Sequence, residues 1–278
     1  MTQLGRFPAE HTVSVPGRPT ATIVLAWGAV TDTGRKRSHN EDSLLAVPPI
    51  FAVADGMGGH AAGDVASAAV VTRLAERLST DFTDVDAIDE GLRAATADIA
   101  LAVDEDNLGV GTTVTGAALT LQGGDPYWAI FNVGDSRVYM FENDELTRVT
   151  VDHSVVQELV DSGAITAADA EFHPNSNIIT RAVGFNAEPM PDYWMLPVRA
   201  GLRLLLCSDG LTKELNDERI RIQLAAGESA NETAHALMAA ALDAGGRDNV
   251  TVIVVDVIES TGRFEQDRTA PRDSGGRW

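Results

Sequence analysis

Four aspartates stand beside glycine, asparagine or serine at the margins of strongly apolar runs: Asp55 in FAVADG, Asp209 in LLLCSDG, Asp248 in GGRDNVTVIVV and Asp135 in FNVGDSR. If the runs are strands lying side by side, their ends gather several carboxylates in one small volume. Carboxylates so gathered repel one another unless cations neutralise them, and ligand sets made only of oxygen select hard ions such as Mg²⁺ or Mn²⁺. Taken singly, Asp-Gly and Asp-Asn are ordinary turn dipeptides. Four of them on apolar strands favour a metal site over four turns. A second dense stretch, TGRKRSHNEDS at 33–43, sets Arg35, Lys36, Arg37 and His39 just before Asn40, Glu41 and Asp42. It reads either as a solvated charged turn or as an arginine fork for a dianionic phosphate beside acids that face cations.

The elements that must position these groups follow from periodicity and turn residues. ATIVLAWGAVTDTG and SLLAVPPIFAVADG each read as a strand closed by Thr-Gly or Asp-Gly. In AAGDVASAAVVTRLAERLS, Ala66, Val70, Leu74 and Leu78 recur every four residues and predict a helix, with a second expected over Asp86 to Val103. GTTVTGAALTLQ, YWAIFNVGDSRVYMF and ELTRVT supply three strands with turns at GGDP and ENDE, an antiparallel, hairpin-rich pattern. From His153, a short helix in HSVVQELVDSG and the polar connection AITAADAEFHPNSN precede IITRAVG and read as a semi-independent flap. LRLLLCSDG and VTVIVVDVI are buried strands by their unbroken apolar content, separated by two helices within Asn216 to Ala244. Strands in blocks and helices in blocks predict an α+β fold, sheet packed on sheet with helices outside.

The bulk properties bound the function. Of 278 residues, 44% are hydrophobic and 22% charged, an ordinary globular composition. One domain over 21–258 is the simplest parse, with residues 1–20 and 259–278, rich in Pro, Gly and Arg, expected as disordered tails. Without an apolar run of membrane-spanning length or a secretory leader, and with Cys207 as its lone cysteine, the chain is expected to be cytoplasmic and free of disulfides. A formal charge of -20 argues against nucleic acid as a partner.

Eight segments, in order, carry a family resemblance: RSHNEDS, VADGMGGHAAGDVAS, GTTVTGAAL, NVGDSRVYMF, DHSVVQELVDSGAIT, IITRAVG, CSDGLTKEL and GGRDNVTVIVV. The chain resembles the metal-dependent type 2C serine/threonine protein phosphatases in their bacterial form. The resemblance implies a central antiparallel β-sandwich flanked by helices, with a flap at about 153–184 and two Mn²⁺ or Mg²⁺ ions at one end. It implies that Asp55 bridges the ions, that the Gly56 carbonyl binds one, and that Asp209 and Asp248 bind the other. Glu41 would reach the first ion through water with Asp42 beside it, and Arg37 would bind phosphate. Asp135, sharing Asp209, would hold the third ion seen in some bacterial members. The implied reaction is hydrolysis of phosphoserine and phosphothreonine by direct attack of a metal-bridging hydroxide. Implied partners are phosphoproteins and a cognate Ser/Thr kinase pathway, with the enzyme a monomer. Where many eukaryotic members have a histidine after Asp-Gly, this chain has Met57, which favours a metal-bound water as proton donor; His60 reads as a helix cap or surface residue and His153 as structural.

Three other readings compete. A binding-only pseudophosphatase would have no need for every acid, and a two-metal nuclease would need basic, aromatic-interleaved stretches that the chain lacks. A Cys-x5-Arg phosphatase would need arginine where the sixth residue after Cys207 is Lys213. Cys207→Ser is therefore expected to keep most phosphatase activity on a phosphothreonine peptide, and near-complete loss would restore the thiol mechanism.

Overall fold

A computed structural model describes residues 1–58, 62–78, 80–102, 109–170, 173–185 and 188–262. One sheet contains β1 (Gln3–Gly5), β4 (Asp42–Val47), β5 (Ile50–Met57), β6 (Gly111–Thr112), β7 (Val114–Gln122), β8 (Asp125–Val133) and β11 (Asp192–Pro197). Its order is β1-β4-β5-β7-β8-β11, with β6 also on β5. The other sheet contains β2 (Ala9–Ser14), β3 (Thr22–Asp32), β9 (Arg137–Glu142), β10 (Glu145–Arg148), β12 (Arg203–Cys207) and β13 (Val250–Ser260), in the order β10-β9-β12-β13-β3-β2. All pairings are antiparallel except β1 on β4.

The central strands are apolar on both faces because both faces are covered. In β5, Phe51 and Val53 enter the core between the sheets, whereas Ile50, Ala52 and Ala54 meet helices α1 (Ala62–Ala75) and α2 (Val85–Ala102). In β13, Ile253, Val255 and Val257 face the inter-sheet core. Val250, Val252 and Val254 pack under α5 (Asp209–Thr212), α6 (Asp217–Leu224) and α7 (Ala230–Ala244). Trp27, Phe51 and Trp128 form an edge-to-face chain across the inter-sheet core, with centroids 5.4 and 6.1 Å apart. Such pairs add about 0.5–1.5 kcal/mol each beyond area burial. The flap carries α3 (Val155–Asp161) and α4 (Ala167–Ala170), neither of which has a buried residue. Its return segment is anchored by Ala182 and Val183, which are buried.

The structure corrects the strand reading in four places. SLLAVPPIFAVADG is two strands, not one: Pro48 and Pro49 have no N–H to give a ladder, so the run folds into a hairpin with Val47 opposite Ile50. YWAIFNVGDSRVYMF also divides, because Gly134, at φ 111°, turns the chain from β8 in one sheet to β9 in the other. Strand β11 had no counterpart in the sequence reading, since DYWMLP is an edge strand of half-buried and exposed residues without clean alternation. Residues 1–20 are not a disordered tail, for they supply an outer strand to each sheet. Val13 and Val15 enter the core, and Trp27 Nε1 donates to the Arg6 carbonyl at 2.9 Å. Outer strands pair on one side only and keep polar residues outward, which gives them tail-like composition. At the other end β13 reaches Ser260, and the Thr261 amide donates to the Thr22 carbonyl at 2.8 Å, so the ordered part passes the expected 258 boundary. Residues 263–278 of the expected second tail, and Val103 of the expected second helix, lie outside the described residues.

Deleting residues 1–14 is expected to lower Tm by on the order of 10 °C, from two outer strands and a buried valine worth about 1.5–3 kcal/mol. Thermal denaturation of the truncated and full chains checks this; equal midpoints would return the segment to the status of a tail.

Candidate active site

Strand register brings the sequence-selected acids to one end of the sandwich. Asp42 is directly opposite Asp55 across β4 and β5. Cys207, just before Ser208 and Asp209, pairs with both Val252 and Arg137, so Asp209, the start of β13 and the Gly134–Ser136 turn share that end. Asp32 pairs with Val250, which brings the 33–41 loop to Asp248.

Asp42 joins the two sheets there. Its fully buried carboxylate accepts from Ser208 Oγ at 2.9 Å, just past the end of β12, and from Thr251 Oγ1 at 2.6 Å in β13 of the opposite sheet, while its Oδ1 has no partner among the described residues. Burial raises its pKa to about 7 against the pull of those two hydroxyls, and Asp209 and Asp248 add to the rise. Asp55 is pushed well above the usual carboxylate range, by burial first and then by the charges of Asp42, Asp209, Asp135 and Asp248. Asp135 is raised to about 7 by burial and by Asp209 and Asp152, with Lys213 and Arg137 pulling the other way.

The 33–41 loop is tied to this cluster by a residue the sequence reading passed over. Asn249 accepts the Glu41 amide on Oδ1 and donates through Nδ2 to the Thr33 and His39 carbonyls, each at 2.9 Å. Its only signal in sequence is its place after Asp248 in an Asp-Asn pair, which also reads as a turn. Arg37 grips Asp248 with two nitrogens, Nε at 2.8 Å and Nη2 at 3.0 Å, and is 53% exposed, so the guanidinium also faces solvent. Glu41 lies against the start of α1, its carbonyl accepting from Ser67 Oγ at 2.5 Å. Gly56 is required by close approach: a Cβ there would lie 2.1 Å from the Gly63 carbonyl oxygen and 2.7 Å from that of Glu41. The Asp55 backbone is fixed through its carbonyl, which accepts from the Thr113 amide and Thr112 Oγ1, each at 2.9 Å.

Asp209 opens α5, and Lys213, four residues on, returns over it to pair with Asp209 Oδ2 and, at 3.4 Å, with Asp248 Oδ2. Asp209 Oδ1 is buried without a hydrogen-bond partner among the described residues. Among the described residues, no three His, Cys, Asp or Glu side chains are drawn together into a coordination cage. The carboxylates repel, and Arg37 and Lys213 balance part of their charge. The donor set nevertheless fits hard divalent cations, being carboxylate oxygens with a buried, unpartnered acceptor and elevated proton affinities that a cation would relieve.

A family model described as protein phosphatase 2C matches residues 34–244. The serine/threonine protein phosphatase PstP of Mycobacterium tuberculosis is 44% identical over 244 residues, covering 86% of this chain, and this chain spans 46% of that relative's length. The serine/threonine phosphatase stp of Listeria welshimeri is 37% identical over 239 residues, covering 81% of this chain and 93% of the relative. The chain belongs to the protein phosphatase 2C family. Its structure is similar to a PstP catalytic domain solved with two manganese ions, with a TM-score of 0.78 at 40% identity over 85% of this chain and all of that one.

The remaining chemical groups of this protein phosphatase 2C chain have structural uses. His153 is buried; its Nδ1 accepts the Gly134 amide at 3.1 Å, so Nε2 carries the proton and donates to Asp192 Oδ2 at 3.0 Å. Arg181 also pairs with Asp192, at 2.9 Å, tying the flap's return segment to β11. Cys207 is fully buried and its thiol is pushed up to about 12 by burial, which leaves no thiolate for nucleophilic attack. Met57 ends β5, and His60 lies outside the described residues. No helix among the described residues is long and apolar enough to cross a membrane.

Because Asp42 and Asp135 hold protons up to about pH 7 in the fold but release them near 3.8 when unfolded, the metal-free folded state binds more protons across that window. Stability must then fall as pH rises through it. In chelator-treated protein, Tm is expected to drop by roughly 5 °C or more between about pH 5 and about pH 7.5, and Mn²⁺ to reverse most of the drop. A midpoint that climbs over this range would contradict the carboxylate cluster.

Proposed function

We propose that the protein is a metal-dependent protein serine/threonine phosphatase. The reading is carried by the convergence of Asp55, Asp209 and Asp248, with Asp42 and Asp135 behind them, at the sandwich end where Asp209 Oδ1 is buried and unpartnered. Asp55, the Gly56 carbonyl, Asp209 and Asp248 would hold two Mn²⁺ or Mg²⁺ ions, with Glu41 acting through water. Such ions lower the pKa of a shared water and neutralise charge on the phosphoryl oxygens.

The chain's own residues supply the rest. Asp42, clamped by Ser208 and Thr251, keeps Asp55 on one sheet in register with Asp209 and Asp248 on the other. Arg37 keeps N–H donors beyond the two given to Asp248, and its fork suits a phosphate monoester dianion at the mouth of the site. Asn249 fixes the loop bearing Arg37 and Glu41 to the residue beside Asp248, so the phosphate-facing and cation-facing groups move as one unit. No covalent phosphoenzyme is required, in agreement with the buried Cys207. Substrates would be phosphoserine and phosphothreonine proteins made by a kinase of the same cell, in a reducing cytoplasm that suits the single free thiol.

The test is phosphate release from a phosphothreonine peptide with and without Mn²⁺. Wild-type protein is expected to show metal-dependent release, and Asp209→Ala, with an unchanged circular dichroism spectrum, to lose it by roughly two to three orders of magnitude, the scale seen when one charge-stabilising group is removed. Peptide binding without metal-dependent release, unaffected by Asp209→Ala, would establish a binding module instead.

A further inference from the structure

We propose that Lys213 supplies, as a built-in ammonium, the positive charge that a third metal ion would bring between Asp209 and Asp135, so that this chain takes up two divalent ions and not three. The inference rests on the two-ion reading above and concerns the neighbouring position.

Asp209 divides its carboxylate between two environments. Oδ2 is ion-paired with Lys213 Nζ, and Oδ1 is buried without a partner. One oxygen is therefore already neutralised by the protein, while the other remains for an external cation. Lys213 is carried to this place by local geometry: four residues after Asp209 on one helical turn, its side chain lies over that of Asp209. Its amide donates to the Asp209 carbonyl at 2.8 Å. The backbone is pinned from behind, since Arg247 Nη2 donates to the Lys213 carbonyl at 2.8 Å and Arg247 Nε pairs with Glu214 at 2.9 Å. From this anchor the ammonium reaches Asp248 Oδ2 at 3.4 Å. Burial works against the charge on Lys213, yet its pKa is raised, because Asp209 first and then Asp248 and Asp135 hold the proton on. The same charge acts on Asp135 across the site, in the same sense as that of Arg137.

A divalent ion at Asp209 and Asp135 would have to displace this ammonium or share Asp209 Oδ2 with it, and two cations on one carboxylate oxygen repel. A single positive charge on a tethered side chain already occupies Asp209 Oδ2 without a coordination shell. A carboxylate in place of Lys213 would reverse the situation, leaving three acids around one point and creating an oxygen site for a hard cation.

Mn²⁺ binding by isothermal titration calorimetry, with free Mn²⁺ counted by electron paramagnetic resonance, tests this. Wild-type protein is expected to bind two ions per chain, Lys213→Asp three, and Lys213→Asp with Asp135→Asn two again. Three ions on the wild type, or two on Lys213→Asp, would overturn the inference while leaving the two-ion site intact. Uptake of no Mn²⁺ by the wild type would overturn both readings. Lys213→Gln gives a readout that does not depend on folding of the more acidic variant: with metal chelated at neutral pH its Tm should fall below that of wild type, and Mn²⁺ should close most of the gap. An unchanged chelated Tm would show that the ammonium neutralises nothing, and the inference would fail.

Discussion

Like charges confined to one poorly hydrated end of a β-sandwich set the terms for the rest of this molecule. Asp42, Asp55 and Asp135 all hold protons more tightly than free carboxylates, because burial removes their water and each feels other acids nearby. The arrangement persists because it is over-determined from outside. Two hydroxyls clamp Asp42, backbone hydrogen bonds fix Asp55, and Lys213 and Arg37 take up part of the charge of Asp209 and Asp248. Divalent cations would complete the neutralisation, so metal binding, folding stability and chemistry draw on one electrostatic quantity.

A rigid platform is the second requirement, since the acids come from both sheets. The Trp27–Phe51–Trp128 chain and the aliphatic residues around it lock one sheet on the other, and the helix layers bury the outer faces. Every ligand candidate then sits within two residues of a strand end, Asp209 at the start of α5 after β12 and Asp248 just before β13. The flap is built otherwise. Its two short helices bury nothing, and it is tied down at its ends through the His153, Asp192 and Arg181 cluster and the buried Ala182 and Val183. Such a segment has few buried groups opposing its movement.

Sequence periodicity was a good guide where burial is strong and poor where it is one-sided. The helix face of Ala66, Val70 and Leu74 and the runs in β12 and β13 are buried as their patterns require, whereas Leu78 lies beyond the end of α1 and is half-buried. Apolar content alone could not say where one strand ends and the next begins: Pro48-Pro49 and Gly134 lie within runs that stay apolar because both of the flanking strands are buried. Residues 1–20 are the opposite case, as an outer strand with few apolar residues has the composition of a tail.

By itself the sequence determined the chemical inventory: the strand-end aspartates, the arginine before Asn-Glu-Asp and the order of motifs that marks the family. These are local, since an aspartate beside glycine at the margin of an apolar run is a matter of neighbours in the chain. Only the tertiary structure decided how charge is shared among them. Asn249 holding the 33–41 loop, Ser208 and Thr251 reaching across to Asp42, and Lys213 reaching Asp248 all depend on strand register and on the distance between two sheets. Those quantities are set by packing over the whole sandwich, and no short stretch of sequence contains them.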